Sequence, residues 1–271
     1  MEIEIPRELL NELEDYVLAL GFAMARFIGF IAITPLFTRM GIDMLLRGGI
    51  ALGLAIPLVP FVFATMEQGH FPGGMMVGML VMKEVLVGII LGIIFGIPIW
   101  AAETAGEFLD LQRGASSAQL FDPLFMSELN ITGTFLSVIM VALFFTSGAF
   151  MMMLGGVYDS YALWPIDKLW PLLDGSTSTI ALGFLDKIAS MAIVLAGPIM
   201  IALLVADISL AFVSRAAPSL QMFDLSLSVK NALFVILMVV YCVFMIKYMN
   251  NNAAFLLDIP AILEDMTINK S

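Results

Sequence analysis

MMVGMLVMKEVLVGIILGIIFGIPIWAA, residues 75–102, decides what kind of fold this chain can adopt. As one helix it would be about 42 Å long, against a bilayer hydrocarbon core of about 30 Å. It also carries Lys83, Glu84 and Pro98 within an otherwise apolar run, so a tilt, a kink or a break is expected. Working outward, comparable runs lie near residues 16–37, 50–66, 129–157, 180–213 and 231–249, and six membrane spans are the simplest count. The run at 180–213 is longer still and contains Asp186-Lys187, Gly197-Pro198 and Asp207, which predicts a bent helix or two helices. The fold class expected is all-α: a polytopic membrane protein of long, partly broken helices.

Composition agrees with that pattern. Of 271 residues, 61% are hydrophobic and only 13% charged, far outside the soluble range. The 23 acidic and 12 basic residues are scattered at segment edges and within helices, so no basic footprint for nucleic acid is present. The single cysteine, Cys242, excludes an intrachain disulfide and reads as an inert packing residue in an apolar run. The first 15 residues, MEIEIPRELLNELED, are acidic and lack the basic start and cleavage pattern of a signal peptide; a retained amphipathic or irregular lead-in is expected. With the amino terminus outside, the inner loops carry Arg39, Arg47, Arg113, Arg215 and Lys230, and the outer segments Arg7, Lys168 and Lys270.

Small and polar residues carry the remaining information. Gly88, Gly92 and Gly96 recur every fourth residue and line one helical face, where another helix can approach closely. That ridge does not choose between an internal partner and another subunit. The 21 methionines suit adaptable core packing, or a deformable constriction if several converge. Charges at membrane depth (Lys83, Glu84, Glu103, Glu107, Asp186, Lys187, Asp207) point to burial against protein or to a watery cavity. Lys83 and Glu84 are adjacent and project in different directions on a helix, so pairing between them is not assumed; the same caution applies to Asp186 and Lys187. Asp207, in LLVADISLAF, serves either polar helix packing or a transport pathway.

Chemical motifs are sparse. His70 is the only histidine and sits in EQGHFPGG, a turn sequence, so multi-histidine metal sites are excluded. Glu103, Glu107 and Asp110 share a helix side by spacing and form a solvated or hydrogen-bonded face, or with further ligands a cation site. Ser116 and Ser117 lie in no nucleophile elbow. Neither an enzyme, a metal nor a cofactor is expected. One polar stretch stands out between apolar runs, AGEFLDLQRGASSAQLFDP at 105–123. Gly106 and Gly114 loosen it, Asp110 and Arg113 make it polar, Ala115, Ser116, Ser117 and Ala118 are small, and Pro123 restricts its exit. It is either a surface loop or a loop folded inward that lines or obstructs an aqueous route.

Four stretches together resemble a known family: KEVLVGIILG at 83–92, AAETAGEFLDLQRGASSA at 101–118 with DP at 122–123, FFTSGAFMMMLGGVYDSYALWP at 144–165, and GPIMIALLVADISLAFVSRAAPSLQMFDLSLSVK at 197–230. The chain is similar to the T subunit of the type III secretion (injectisome) export apparatus, which is related to the flagellar export R subunit. The resemblance implies helices arranged as hairpins around a narrow channel for unfolded substrate proteins. It implies residues 1–179 as amino-terminal hairpins, 180–249 as a carboxyl-terminal hairpin similar to the S subunit, and 250–271 as a short tail. It implies a plug-like loop at 106–123, involving Gly106, Asp110, Gln112, Arg113, Gly114, Ala115, Ser116 and Ser117. Arg215, Pro218 and Phe223 match an RxAPxLxxF feature and imply an inter-helix turn. The implied partners are the R, S and U subunits and secreted proteins, in the bacterial inner membrane within the secretion system base. The competing function class is a secondary transporter or small channel with a proton-coupled polar site around Asp207.

Overall fold

The computed structural model describes residues 7–68, 74–114, 130–168, 177–216 and 222–253. These form α1 (Arg7–Ile33), α2 (Pro35–Arg39), α3 (Met44–Ala55), a 3-10 turn (Ile56–Leu58), α4 (Val59–Gln68), α5 (Gly74–Arg113), α6 (Ile131–Thr146), α7 (Ala149–Leu163), α8 (Thr177–Ala216) and α9 (Met222–Ala253). No strand occurs among the described residues, and the protein is an all-α polytopic membrane protein. Five helical stretches are long and apolar enough to span a bilayer: Leu13–Ile33, Met44–Thr65, Gly74–Arg113, Leu182–Ala216 and Leu225–Asn251. A sixth span exists if α6 and α7 count as one broken crossing.

Local chemistry explains the breaks. Thr34 is extended (φ -66, ψ 121) because it precedes Pro35, and its hydroxyl donates to the Phe30 carbonyl at 2.6 Å, closing the end of α1. Pro57 sets the 3-10 turn between α3 and α4. Asp43 and Asn130 cap α3 and α6, accepting from the amides of Leu46 (2.8 Å) and Gly133 (2.9 Å). The single span expected over 129–157 is broken at Ser147–Gly148, where Gly148 takes φ +80, a left-handed conformation that favours glycine.

The other two long runs resist breaking. α5 continues through Pro98 to Arg113 over 40 residues, and α8 passes Gly197-Pro198 without interruption, also over 40 residues. Of the alternatives expected for each run, a break is therefore absent. In α5 the buried residues Ala101, Ala102, Ala105 and Leu109 keep helical spacing beyond Pro98, so packing carries the helix past the proline. Gly106 to Arg113, expected as loop, form its last two turns.

The described chain forms two compact units, residues 1–96 with 151–181, and residues 97–150 with 182–255; the boundary falls within α5. In the first, α1 buries Ala19, Phe22, Ala23, Phe27 and Phe30 along one face and packs against α3 and α4, with Tyr16 stacked on Phe63 at 4.4 Å. Glycines let α1 and α5 meet backbone to backbone. A Cβ on Gly88 would lie 2.8 Å from the Phe30 nitrogen, one on Gly92 would lie 2.8 Å from the Phe30 carbonyl oxygen, and Gly29 faces Val85 and Ile89. For Gly88 and Gly92 the partner helix is thus internal; Gly96 is also buried. In the second unit, Pro98, Met140, Leu195 and Met249 face one small apolar void, placing α5, α6, α8 and α9 around a common core. α8 and α9 run antiparallel as a hairpin, since Asp207 reaches Lys230 near their junction while Leu195 and Met249 meet farther away.

At the centre of α1's buried face stands Arg26, completely buried. Its guanidinium donates through Nε to Glu84 (2.7 Å), through Nη1 to the Ser160 hydroxyl (2.8 Å) and through Nη2 to the Trp164 carbonyl (2.9 Å). It also stacks 3.7 Å from the centre of the Tyr161 ring, whose hydroxyl donates to the Ala23 carbonyl at 3.2 Å. Lys83 Nζ lies 2.6 Å from Glu84 Oε1 and donates to the carbonyls of Pro165 (2.8 Å) and Ile166 (3.2 Å). Lys83 and Glu84 therefore do pair. Their backbones diverge by about 100°, but the Lys83 side chain bends back to the Glu84 carboxylate. Arg26 and Lys83 also donate to the carbonyls of Trp164, Pro165 and Ile166, which follow the end of α7.

Arg26 and Lys83 both contact the Glu84 carboxylate, with Asp167 acting on Lys83 from farther off, which sets an order of mutational effects. Glu84→Gln leaves Arg26 and Lys83 facing each other without their anion, whereas Arg26→Met leaves a neutral Lys83–Glu84 pair. Glu84→Gln is expected to cost about 3–5 kcal/mol and Arg26→Met less, measured as thermal stability of the purified chain in detergent. The reverse order would contradict the charge assignment.

Candidate functional site

The polar side chains of the second unit gather where α5 ends. Asp110, buried at 4% exposure, accepts from the backbone amide of Thr132 at 2.9 Å and from the Thr132 hydroxyl. It thereby caps α6 from a different helix, where the positive dipole end favours an anion. Arg113 lies three residues on and clasps the same carboxylate through Nε (2.9 Å) and Nη2 (2.7 Å). Asn130 closes a second link by donating to Glu107 at 2.7 Å, and Gly106 packs directly on the backbone of Thr132 and Gly133. Gly106 therefore serves close packing, where a side chain would push α6 away. Residues 106, 107 and 110 of α5 are thereby tied to residues 130, 132 and 133 at the start of α6.

From the other side α9 reaches the same helix end. Lys230 donates to the Gln112 carbonyl at 3.2 Å and pairs with Asp207 of α8 at 3.1 Å. Gln112 donates through Nε2 to Asp207 at 3.4 Å. The Arg113 guanidinium lies 4.8 Å from the Phe234 ring centre, with Nη1 3.5 Å from Asn231. Gly114 then leaves the helix at φ +81, its amide bonded to the Leu111 carbonyl at 3.1 Å. Asp110, Arg113, Asp207 and Lys230 balance to no net charge, and four helices are joined at one place.

Other expected site residues lie elsewhere or apart. Glu103 is half-buried, Glu107 exposed, Asp186 exposed and Lys187 half-buried; Glu103, Glu107 and Asp110 do not gather as one face, since Asp110 turns inward to Thr132. Arg215 is exposed in the last turn of α8, where a cation suits the helix dipole. Ala115, Ser116, Ser117 and Pro218 lie outside the described residues, as does the side chain of Phe223, which belongs to the first turn of α9. His70 and the tail beyond residue 253 lie outside them as well. Cys242 is exposed on α9 rather than packed. Arg26 and Thr132 were not legible as site residues. The signal for Arg26 was its place as the one charge within an apolar helical stripe, Ala19 to Phe30.

These contacts hold backbone ends and offer no nucleophile paired with a base. Among the described residues no group of three metal-ligating side chains converges. Fold and site define a polytopic helical membrane protein whose polar groups are spent on positioning helices. Residues 17–255 match the family described as Bacterial export proteins, family 1, and the chain belongs to that family. It is 32% identical over 238 residues to Yop proteins translocation protein T of Yersinia pestis, covering 87% of this chain and 90% of that protein. It is 25% identical over 233 residues to Secretion system apparatus protein SsaT of Salmonella typhimurium, covering 86% and 90%. It is 26% identical over 237 residues to Flagellar biosynthetic protein FliR of Bacillus subtilis, covering 85% and 88%.

Asp110→Ala removes the second cap of α6, leaving that of Asn130, and leaves the Thr132 amide unsatisfied in a buried place. It is expected to cost about 1–3 kcal/mol and to raise hydrogen exchange in the first turn of α6 while leaving α1 unchanged. Equal exchange in that turn before and after the substitution would contradict the cap.

Proposed function

We propose that this chain is a subunit of the export gate of a type III protein secretion system, forming and closing part of the channel through which unfolded proteins leave. Membership of the bacterial export family across residues 17–255 carries this proposal. The names of the relatives, a translocation protein, a secretion system apparatus protein and a flagellar biosynthetic protein, support it. The location proposed is the bacterial inner membrane, within a complex that includes the R, S and U subunits.

Exposed surface supports a multi-subunit setting. Only 11% of the apolar window of Leu225–Asn251 and 33% of that of Leu182–Ala216 are buried within the chain, so these helices finish their packing against lipid or neighbouring subunits. The α8–α9 hairpin, within residues 180–249, is proposed to play the part of an S-like hairpin, turning through Arg215, Pro218 and Phe223. Residues 1–179 supply the amino-terminal hairpins.

In mechanism the chain makes and breaks no bond; its work is positional. The stretch 106–123 is proposed to obstruct the channel at rest. Gly106, Asp110, Gln112 and Arg113 form its helical base, Gly114 turns the chain away from α5, and Ala115, Ser116 and Ser117 follow. A proton-coupled small-solute transporter is the other class, resting on Asp207. The pairing of Asp207 with Lys230 and Gln112 supports a helix-holding role instead.

Deleting residues 115–119 keeps Asp110, Arg113 and Thr132 in place. In the assembled complex the deletion is expected to raise ion conductance across the membrane. Conductance equal to that of the intact complex would contradict the closing role.

A further inference from the structure

Lys230 stands between two acceptors on different helices, 3.2 Å from the Gln112 carbonyl of α5 and 3.1 Å from the Asp207 carboxylate of α8, with its side chain 13% exposed. Two further α9 residues face the same turn of α5. Asn231 meets Arg113 at 3.5 Å, and Phe234, one helical turn beyond Lys230, lies beneath the Arg113 guanidinium. An unbroken series of contacts therefore runs from α8 through α9 to α5, and from α5 through Asp110 to the first turn of α6.

The links in that series differ in strength. Asp110 binds Arg113 and Thr132 by short, charge-assisted bonds in a buried place. The α9–α5 link consists of longer contacts, and its anion Asp207 is 34% exposed. Water competes for Lys230 and Asp207 but not for Asp110. A displacement of the α8–α9 hairpin is thus carried through these contacts to the last turn of α5, while the shorter bonds of Asp110 hold the first turn of α6 in place.

We infer that Lys230 is the positioning residue of this joint, fixing the last turn of α5 to the α8–α9 hairpin so that displacement of the hairpin is transmitted to that turn. In the export-gate account on which this inference rests, the hairpin's packing against neighbouring subunits then sets the conformation at the base of the 106–123 stretch. A carbonyl acceptor needs only a donor and the carboxylate only a cation, so arginine can replace Lys230 and methionine cannot.

The test compares Lys230→Met and Lys230→Arg in the assembled complex, by hydrogen exchange of residues 109–114 and by ion conductance. Lys230→Met is expected to raise exchange in 109–114 several-fold while exchange in the first turn of α6, residues 131–134, stays the same; Lys230→Arg restores the intact pattern. Unchanged exchange at 109–114, or an equal rise in both turns, overturns the inference. If Lys230→Met does not assemble, Phe234→Leu removes the ring under Arg113 while keeping apolar volume, and the same exchange difference is expected. Exchange reports the joint and conductance reports the gate. A rise in exchange without conductance in either Lys230→Met or the 115–119 deletion leaves the joint standing and removes the gate. Conductance in the deletion with no exchange change in Lys230→Met does the reverse.

Discussion

A guanidinium buried in an apolar interior must be given partners for its charge and its five N–H groups, and at Arg26 this requirement organises the first unit. Its donors reach Glu84, Ser160 and the Trp164 carbonyl, so α1, α5 and α7 can assemble in only one register. A slip of one residue along α1 would turn the charge by about 100° into hydrocarbon or side chains that offer it nothing. The glycines are the steric condition for this arrangement. Gly29, Gly88 and Gly92 bring the α1 and α5 backbones together around Arg26, and any larger side chain there would hold Glu84 out of reach. Lys83 and Arg26 in turn supply donors to the carbonyls at the end of α7, so one cluster closes a helix end and fixes a three-helix contact.

The second unit applies the same chemistry with a different balance. Its cluster is electrically neutral and partly open to water, with Asp207 at 34% and Lys230 at 13% exposure, against none for Arg26 and Glu84. Burial makes the first cluster costly to disturb, whereas partial exposure lets water stand in for protein partners in the second. The first cluster is dry and the second is wet.

Much of the fold could be read from hydropathy, because lipid-exposed helices must be apolar whatever else they do. All six expected runs correspond to helices. Boundaries were harder to see where one residue type serves two purposes. Gly106 reads as a loosening residue, yet it lies inside α5 because Gly133 of α6 needs the space; the polar residues Glu107, Asp110, Gln112 and Arg113 hid two further helical turns for which Ala105 and Leu109 supply the buried face. Gly148 lies in a run whose composition looks continuous, and only its left-handed backbone reveals the break between α6 and α7. The Cα–Cβ directions of Lys83 and Glu84 diverge, but a long side chain can bend back, as that of Lys83 does to the Glu84 carboxylate. Arg26 was passed over because a lone charge in an apolar run carries no motif; its three partners lie 58 to 138 residues away in sequence. The family resemblance, spread over distinctive stretches from 83 to 230, identified what periodicity alone left open between a transporter and an export subunit.

The central claim is that this chain works as one subunit of a heteromeric export apparatus. The most direct measurement is its native mass and subunit composition after gentle extraction from membranes of cells expressing it with its neighbouring genes. The account predicts a large complex containing several other apolar helical subunits, with the chain more resistant to protease there than alone. A stable monomer or homodimer that takes up a small solute unaided would contradict it.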